Sequence, residues 1–133
     1  MKKSCHCGNI IVEYPDDNAF EIARQCGCHY CSAAGPTYVS NPDVPVSFQV
    51  IDKSQQKITR QGSGTAQFHE CINCGLVLVT SEIESANYCV LNAKTLGIDV
   101  SAVDPNVRNF TGESIKDRLA RRKLNWCPVC ELT

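Results

Sequence analysis

The chain has 133 residues and a mass of 14.6 kDa, which is the length of one domain. Its 13 basic and 14 acidic residues leave a net charge of −1, which argues against the broad basic surface of a sequence-tolerant nucleic-acid binder. Its apolar runs are far shorter than the roughly 20 residues of a membrane span. We therefore predict a single domain over residues 1–133 that does not cross a membrane.

Alternating apolar residues predict short β-strands through most of the chain. Ile10, Val12 and Tyr14 alternate with Ile11 and Glu13, as expected for a strand with one buried face. The sequence therefore predicts a mainly β fold. Further strands are predicted at residues 20–24, 44–50, 57–60, 76–79 and 88–91, with irregular chain at 32–42 and a flexible break at 62–64.

One short helix is predicted near the C-terminus. Ser114 can cap it, with Asp117 as the capping-box partner, and Ile115, Leu119 and Leu124 form one apolar line. A solvated face is the simpler interpretation of its charges, and a patch for an anionic partner is the alternative. The basic residues are Lys116, Arg118, Arg121, Arg122 and Lys123.

Cysteine is the unusual component of the sequence, with ten residues in 133. Residues 1–4 leave no room for a signal peptide, so we predict a cytoplasmic protein in which clustered cysteines bind metal rather than form disulfides. Zinc is favoured over iron–sulfur because neither ferredoxin spacing is present. The groups are Cys5–Cys7, Cys26–Cys28–Cys31, Cys71–Cys74 and Cys127–Cys130, and Cys89 stands alone.

Nine grouped cysteines can supply two Zn²⁺ ions per chain. Cys5 and Cys7 with Cys71 and Cys74 can form a closed four-sulfur site, which is structural because protein fills every position. Such a site contributes roughly 10 kcal/mol or more to folding.

The middle group offers a different chemistry. Cys26, Cys28 and Cys31 supply three ligands within six residues, and three protein ligands with an open position are what a catalytic zinc requires. Cys127 and Cys130 are candidates for extra ligands that would close this second site. The sequence leaves both arrangements open.

Three cysteine motifs occur in a specific order. Ser4–Ile10 reads S-C-H-C-G-N-I, the middle group reads C-x-C-x-x-C, and Cys71–Gly75 reads C-I-N-C-G. Val90–Leu96 and Phe110–Gly112 follow as weaker landmarks. Over about residues 4–112, this series resembles the glutathione-dependent formaldehyde-activating enzymes and their centromere protein V relatives.

The resemblance implies a zinc-stapled beta-tent fold with two zinc ions. It implies that Cys5, Cys7, Cys71 and Cys74 share the structural zinc, and that the middle group holds the second. The implied activity is condensation of glutathione with formaldehyde to S-hydroxymethylglutathione, a carbon–sulfur lyase reaction in reverse. Glutathione, or a similar small thiol, is the implied partner.

The sequence departs from the family pattern in three places. Gly27 and His29 stand where the family's middle motif usually reads C-H-C. His69 and Glu70 precede the third motif, where an aromatic residue is common. Cys127–Cys130 is an addition that the family pattern does not require.

We assign the catalytic roles of the enzyme hypothesis to Cys28 and His29. Cys28 would be a ligand of the open zinc, and His29 a proton shuttle. His69 is a second candidate shuttle, whereas His6 is less suited because it lies inside the first cysteine motif. An imidazole that only supports a ligand or faces solvent is the simpler interpretation of each histidine. Arg24 is a candidate for holding a peptide carboxylate.

The competing function is a non-catalytic binding module held together by two closed structural zinc sites. A third alternative is a reversible disulfide between Cys127 and Cys130, although the βαβ context of a thioredoxin-like fold is absent. We favour the enzyme, and the sequence leaves the oligomeric state open. Cys89 is predicted to be a small buried side chain and Trp126 a core anchor, with no functional role.

Overall fold

The computed structural model describes residues 1–16, 20, 22–24, 37–60, 64–100, 102–103 and 112–132. Within them the predicted mainly β fold with a C-terminal helix is confirmed. The strands are β1 (Lys2–Ser4), β2 (Ile10–Glu13), β3 (Ile22–Ala23), β4 (Tyr38–Val39), β5 (Val46–Val50), β6 (Gln56–Thr59), β7 (Gln67–Cys71), β8 (Gly75–Ile83), β9 (Ala86–Asn92), β10 (Ala102–Val103) and β11 (Cys127–Leu132). The helices are α1 (Ala93–Leu96) and α2 (Ile115–Asn125), and a 3₁₀ turn spans Lys53–Gln55.

Nine of the described strands form one sheet. Its order is β1-β2-β5-β11-β9-β8-β7-β6, and β4 pairs additionally with β9. The short strands β3 and β10 pair with each other in parallel, outside this sheet. Strand β4 falls within the segment that the sequence predicted to be irregular.

The last strand joins the two halves of the sheet. Cys127 of β11 lies opposite Cys89 in an antiparallel pair with β9. Further along, Val129 lies opposite Val46 in a parallel pair with β5, and the register shifts before Glu131. The sequence predicted no strand at residues 127–132.

Apolar side chains from both halves meet in the core. Ile10 and Val12 are fully buried and Glu13 is exposed, which confirms the alternation predicted for β2. Strand β8 is buried at consecutive positions, including Val77 and Leu78, so both of its faces are covered. Cys89 is also fully buried, as predicted.

The predicted apolar line of α2 is wrong. Ile115 and Leu124 are 54% and 72% exposed, whereas Arg122 is the buried residue of the helix at 8%. The Arg122 guanidinium donates hydrogen bonds to Thr65 and Ser81 and lies 5.1 Å from the centre of the Trp126 ring. Burial of this cation is possible because hydroxyls and an aromatic face replace its water. The predicted cap of the helix is confirmed, since the Asp117 N–H donates to the Ser114 hydroxyl at 3.1 Å.

No helix in the described part of the chain is both long and apolar enough to span a membrane.

Candidate metal centre

Two turns from opposite ends of the sheet bring four cysteines together. Cys5 and Cys7 lie between β1 and β2, Cys71 ends β7, and Cys74 precedes β8. Their sulfur atoms all lie within 4.8 Å of one another. In a flat sheet, β2 and β7 would stand about 24 Å apart, since five strand spacings of about 4.8 Å separate them. The sheet therefore curls until its two ends meet at the four cysteines.

Glycine ends both turns. Gly8 follows Cys7 with φ +82° and Gly75 follows Cys74 with φ +92°. This left-handed conformation is strained for residues with a Cβ and free of strain for glycine. Each C-G pair in the sequence thus marks a backbone reversal that turns its sulfur toward the other pair.

The distances between the sulfur atoms fit a tetrahedral metal. The Sγ of Cys7 lies 3.4 Å from that of Cys71 and 3.7 Å from that of Cys5. Four sulfurs at about 2.3 Å from one zinc ion stand about 3.8 Å apart. Both measured distances are far longer than the roughly 2.05 Å of a disulfide bond, and these cysteines are free thiols. The four residues can therefore hold a zinc-sized ion with little rearrangement.

Backbone N–H groups also point at the sulfurs. The Ile10 N–H donates to Cys5 Sγ at 3.4 Å, and the Cys7 N–H donates to Cys74 Sγ at 3.3 Å. Such bonds favour the charged form of a thiolate ligand. When a metal binds, these two N–H groups would already balance part of the negative charge on the thiolates.

The 3₁₀ turn at Lys53–Gln55 anchors both cysteine turns. Asn9, beside the first turn, exchanges two hydrogen bonds with the backbone of Asp52, at 3.1 and 2.8 Å. Ile72, inside the second turn, donates its N–H to the carbonyl of Gln55 at 2.9 Å. The two halves of the site are thus held in place by a common segment before any metal binds.

Without a metal, the pKa values of Cys7, Cys71 and Cys74 differ. The Asn9 N–H, with help from the sulfurs of Cys71 and Cys74, lowers the pKa of Cys7 to about 7. Burial raises the pKa of Cys71 to about 12 and also raises that of Cys74. Among these three residues the protein alone favours the thiolate of Cys7, and a divalent cation would supply the charge that deprotonates Cys71 and Cys74.

The predicted second site lies outside the described residues. This applies to the candidate ligands Cys26, Cys28 and Cys31 and to the candidate shuttle His29. The chain on either side of them is anchored, because Arg24 and Tyr38 exchange backbone hydrogen bonds of 2.8 Å. Arg24 itself is exposed.

Cys127 and Cys130 lie in an extended strand rather than in a turn. Cys127 is fully buried, its sulfur accepts the Asn41 N–H at 3.3 Å, and a hydrogen bond from Cys89 lowers its pKa. Cys130 is exposed. Three strand residues span about 10 Å, so the backbone does not reverse between these two cysteines as it does between Cys71 and Cys74. Within the described residues neither joins a group of three or more metal-ligating side chains.

His69 is enclosed by the core. It is 5% exposed, and its ring lies 5.4 Å from that of Phe48. Gln56 Nε2 donates to its Nδ1 at 2.9 Å, so Nε2 carries the proton and donates to Thr80 Oγ1 at 2.8 Å. Burial lowers the pKa of His69 to about 4. Both nitrogens are occupied, which favours a structural role over that of a shuttle; His6, in contrast, is exposed.

Asn92 is a buried residue to which the sequence analysis assigned no role. Its Oδ1 accepts the N–H groups of Thr37 and Lys94, and its Nδ2 donates to the Leu76 carbonyl and the Thr95 hydroxyl. Asn92 therefore connects the chain that follows the middle cysteines to the strand that follows Cys74. The signal in the sequence was an asparagine at the end of the apolar strand β9, directly before α1. Its side chain caps α1.

Together these features define a cysteine-rich, mainly β protein with a four-sulfur candidate metal centre. The family model described as glutathione-dependent formaldehyde-activating enzyme matches residues 1–113. The chain belongs to that family. The match ends before α2, so the last helix and β11 lie outside it.

A solved structure supports the fold. A crystal structure of a Rhodobacter sphaeroides protein matches with a TM-score of 0.56 at 22% identity, covering 82% of this chain and 99% of that chain. At this identity the likeness concerns the fold alone. A comparison with the curated proteins found no match.

Proposed function

We propose that the protein is a zinc-dependent carbon–sulfur lyase-type enzyme that joins a thiol to a small carbonyl compound, with glutathione and formaldehyde as the substrates. The observation that carries this proposal is the family match over residues 1–113, which includes all seven cysteines of the first three groups. The convergence of four of these cysteines supports it. Two zinc ions per chain would serve separate purposes.

The first zinc would be structural. Cys5, Cys7, Cys71 and Cys74 would fill all four of its positions, and no position would remain for a substrate. Two of these ligands, Cys5 and Cys71, are 1% exposed, which favours a site closed to small molecules. Its role is to hold the ends of the curled sheet together.

The second zinc would be catalytic, bound by Cys26, Cys28 and Cys31. A zinc ion with an open position, when bound there, lowers the pKa of a coordinating thiol and so favours the thiolate. In the reaction the sulfur forms a bond to the carbonyl carbon, and the electron pair of the carbonyl bond moves to oxygen. His29 would carry the thiol proton to that oxygen, and Arg24 would pair with a carboxylate of the tripeptide.

Exchange NMR on a glutathione–formaldehyde mixture tests this function. Protein loaded with zinc should accelerate the exchange between free formaldehyde and its glutathione adduct, and Cys28→Ser should abolish the acceleration. Cys130→Ser is the matched control, because it removes an exposed cysteine outside the first three groups and should leave the rate unchanged.

Two other results would contradict the proposal. No acceleration by fully metallated protein rejects this substrate pair and favours the binding module with two closed zinc sites. Acceleration that survives Cys28→Ser would remove the middle group from the reaction. Zinc content, measured on each sample by atomic emission, separates a missing metal from a missing activity.

A further inference from the structure

The four cysteines of the candidate metal centre differ in their access to solvent. Cys5 and Cys71 are 1% exposed, Cys74 is half-buried, and Cys7 is exposed. Any oxidant that reaches the cluster therefore meets Cys7 first. Susceptibility of cysteines to oxidation follows exposure and thiolate character, and a ligand of a metal has that character.

A second sulfur lies within reach of Cys7. Its Sγ is 3.4 Å from that of Cys71 and 3.7 Å from that of Cys5. A disulfide would require the nearer pair to close to about 2.05 Å, a movement smaller than the change of one side-chain rotamer. Cys71 ends β7 and is held by the β-sheet, whereas Cys7 lies in a turn. The movement therefore falls on Cys7.

The other described cysteines do not offer this arrangement. Cys89 and Cys127 are fully buried. Cys130 is exposed but belongs to no group of three or more metal-ligating side chains in the described part of the chain. Among the described cysteines, Cys7 is the one that is both exposed to solvent and close to several other sulfur atoms.

We propose that the four-cysteine site is also a redox-sensitive zinc-release site, in which a hydroperoxide oxidises Cys7 and Cys71 completes a disulfide. This inference rests on the zinc assigned to the site under the proposed function. In the first step the Cys7 sulfur attacks the peroxide, the O–O bond breaks, a sulfenic acid forms and one water or alcohol leaves. In the second step the Cys71 sulfur attacks the sulfenic acid, the S–S bond forms and a second water leaves.

The balance requires one peroxide and two protons from solvent. Two zinc-bound thiolates lose two electrons, and the peroxide takes up these electrons and the two protons and leaves as two waters, or as one alcohol and one water. A disulfide sulfur is a poor ligand because the thiolate is the form that binds metal, so two ligands are lost at once and Zn²⁺ is released. A thiol reductant with added zinc reverses both changes.

Zinc-loaded protein treated with hydrogen peroxide tests the proposal. We expect release of one zinc ion per chain, followed by a colorimetric chelator, together with a Cys7–Cys71 linked peptide in a digest analysed by mass spectrometry. A reductant and zinc should restore the original metal content. Zinc loss without this linked peptide would overturn the proposed route.

Two variants sharpen the test. Cys7→His keeps a zinc ligand, because three cysteines and one histidine are a common structural set, but it cannot form the disulfide. We expect it to bind zinc and to release it at least about tenfold more slowly under peroxide. Cys130→Ser should release zinc at the wild-type rate. Release from Cys7→His at the wild-type rate would overturn the proposal.

The result distinguishes failure of this inference from failure of the proposed function. Zinc that binds to the four cysteines and survives peroxide refutes the release mechanism and leaves the structural zinc intact. A protein that binds no zinc at these cysteines, shown by equal zinc content in wild type and in a Cys5→Ser/Cys71→Ser double variant, refutes this inference and the structural zinc on which it rests. The exchange NMR assay tests the enzyme function separately.

Discussion

Replacing Asn92 with alanine tests whether one buried amide holds three segments of the fold together. Asn92 is 5% exposed, and its side chain makes four hydrogen bonds of 2.8–3.3 Å. Alanine would remove all four bonds and leave a cavity between Thr37, Leu76 and α1. The substitution changes one residue, but it would remove hydrogen bonds to segments that are distant in the sequence.

The cost follows from the groups left behind. The Thr37 N–H and the Leu76 carbonyl belong to residues that are 6% and 5% exposed, and each buried group that loses a partner costs roughly 1–3 kcal/mol. Loss of the side-chain cap on α1 adds about 1 kcal/mol. We expect Asn92→Ala to lower the free energy of unfolding by about 3–7 kcal/mol, a large part of the roughly 5–15 kcal/mol typical of a domain.

Urea unfolding of zinc-loaded protein, followed by the fluorescence of the single tryptophan, Trp126, measures this loss. Asn87→Ala is the matched control, because Asn87 lies on the same strand and is only half-buried. It should change stability by less than about 0.5 kcal/mol. An Asn92→Ala protein within about 1 kcal/mol of wild type would refute the argument that these four bonds hold the segments.

Three further predictions concern other parts of the molecule. Ser85, with φ +68° in the two-residue turn between β8 and β9, should gain about 1 kcal/mol in stability on replacement by glycine, and a loss in thermal unfolding would contradict this. Arg122→Met should cost about 2–4 kcal/mol because the buried Ser81 hydroxyl and the half-buried Thr65 hydroxyl lose a charged donor, whereas the same change at exposed Lys116 should cost little in urea unfolding. Deletion of residues 112–133 should abolish cooperative unfolding in calorimetry, since β11 joins the halves of the sheet; a cooperative transition would contradict the single domain predicted over residues 1–133.

The four-cysteine cluster could be predicted because its signals are local. Cys71 and Cys74 flank Asn73 and precede Gly75, and such residues favour a turn that leaves two sulfurs on one side. The first pair, likewise, is followed by Gly8. Each turn supplies only two of the four ligands that a metal needs. The spacing within each pair, together with the turn that it forms, therefore predicted that the two distant pairs would meet.

The same spacing at the C-terminus lies in an extended strand instead of a turn. Cys127 and Cys130 are also separated by two residues, but these are Pro128 and Val129, and a glutamate rather than a glycine follows. A β-branched residue and the absence of glycine favour extended chain. Residues 127–132 form a strand because they pair with β5 on one side and β9 on the other. The local sequence of β11 does not indicate that these two strands need a partner.

The helix face could not be predicted for a related reason. Apolar periodicity indicated Ile115 and Leu124 as the buried positions, yet Arg122 is the one that the core encloses. A buried cation requires acceptors, and these come from Thr65 and Ser81, some 57 and 41 positions away in the sequence. Periodicity indicates which apolar side chains are expected to be buried. It does not indicate which hydrogen-bond acceptors lie on the surface against which the helix packs.

The strand ladder and the proposed metal are two independent devices that would close this fold, and removal of metal should separate them. The ladder from β1 through β11 to β6 is made of backbone hydrogen bonds and does not depend on the sulfur atoms of the four cysteines. Chelation would therefore remove only the tie between the ends of the sheet. The roughly 10–16 kcal/mol that zinc provides to finger peptides applies to chains without a core of their own, whereas this chain buries β2, β8 and β9 in a common core. We expect a strong chelator to lower the melting temperature by more than 10 °C, on the order of 2 kcal/mol or more for a domain of this size, while far-ultraviolet circular dichroism at 20 °C retains the β signal. Complete unfolding by the chelator at that temperature would show that the metal, and not the ladder, holds the sheet.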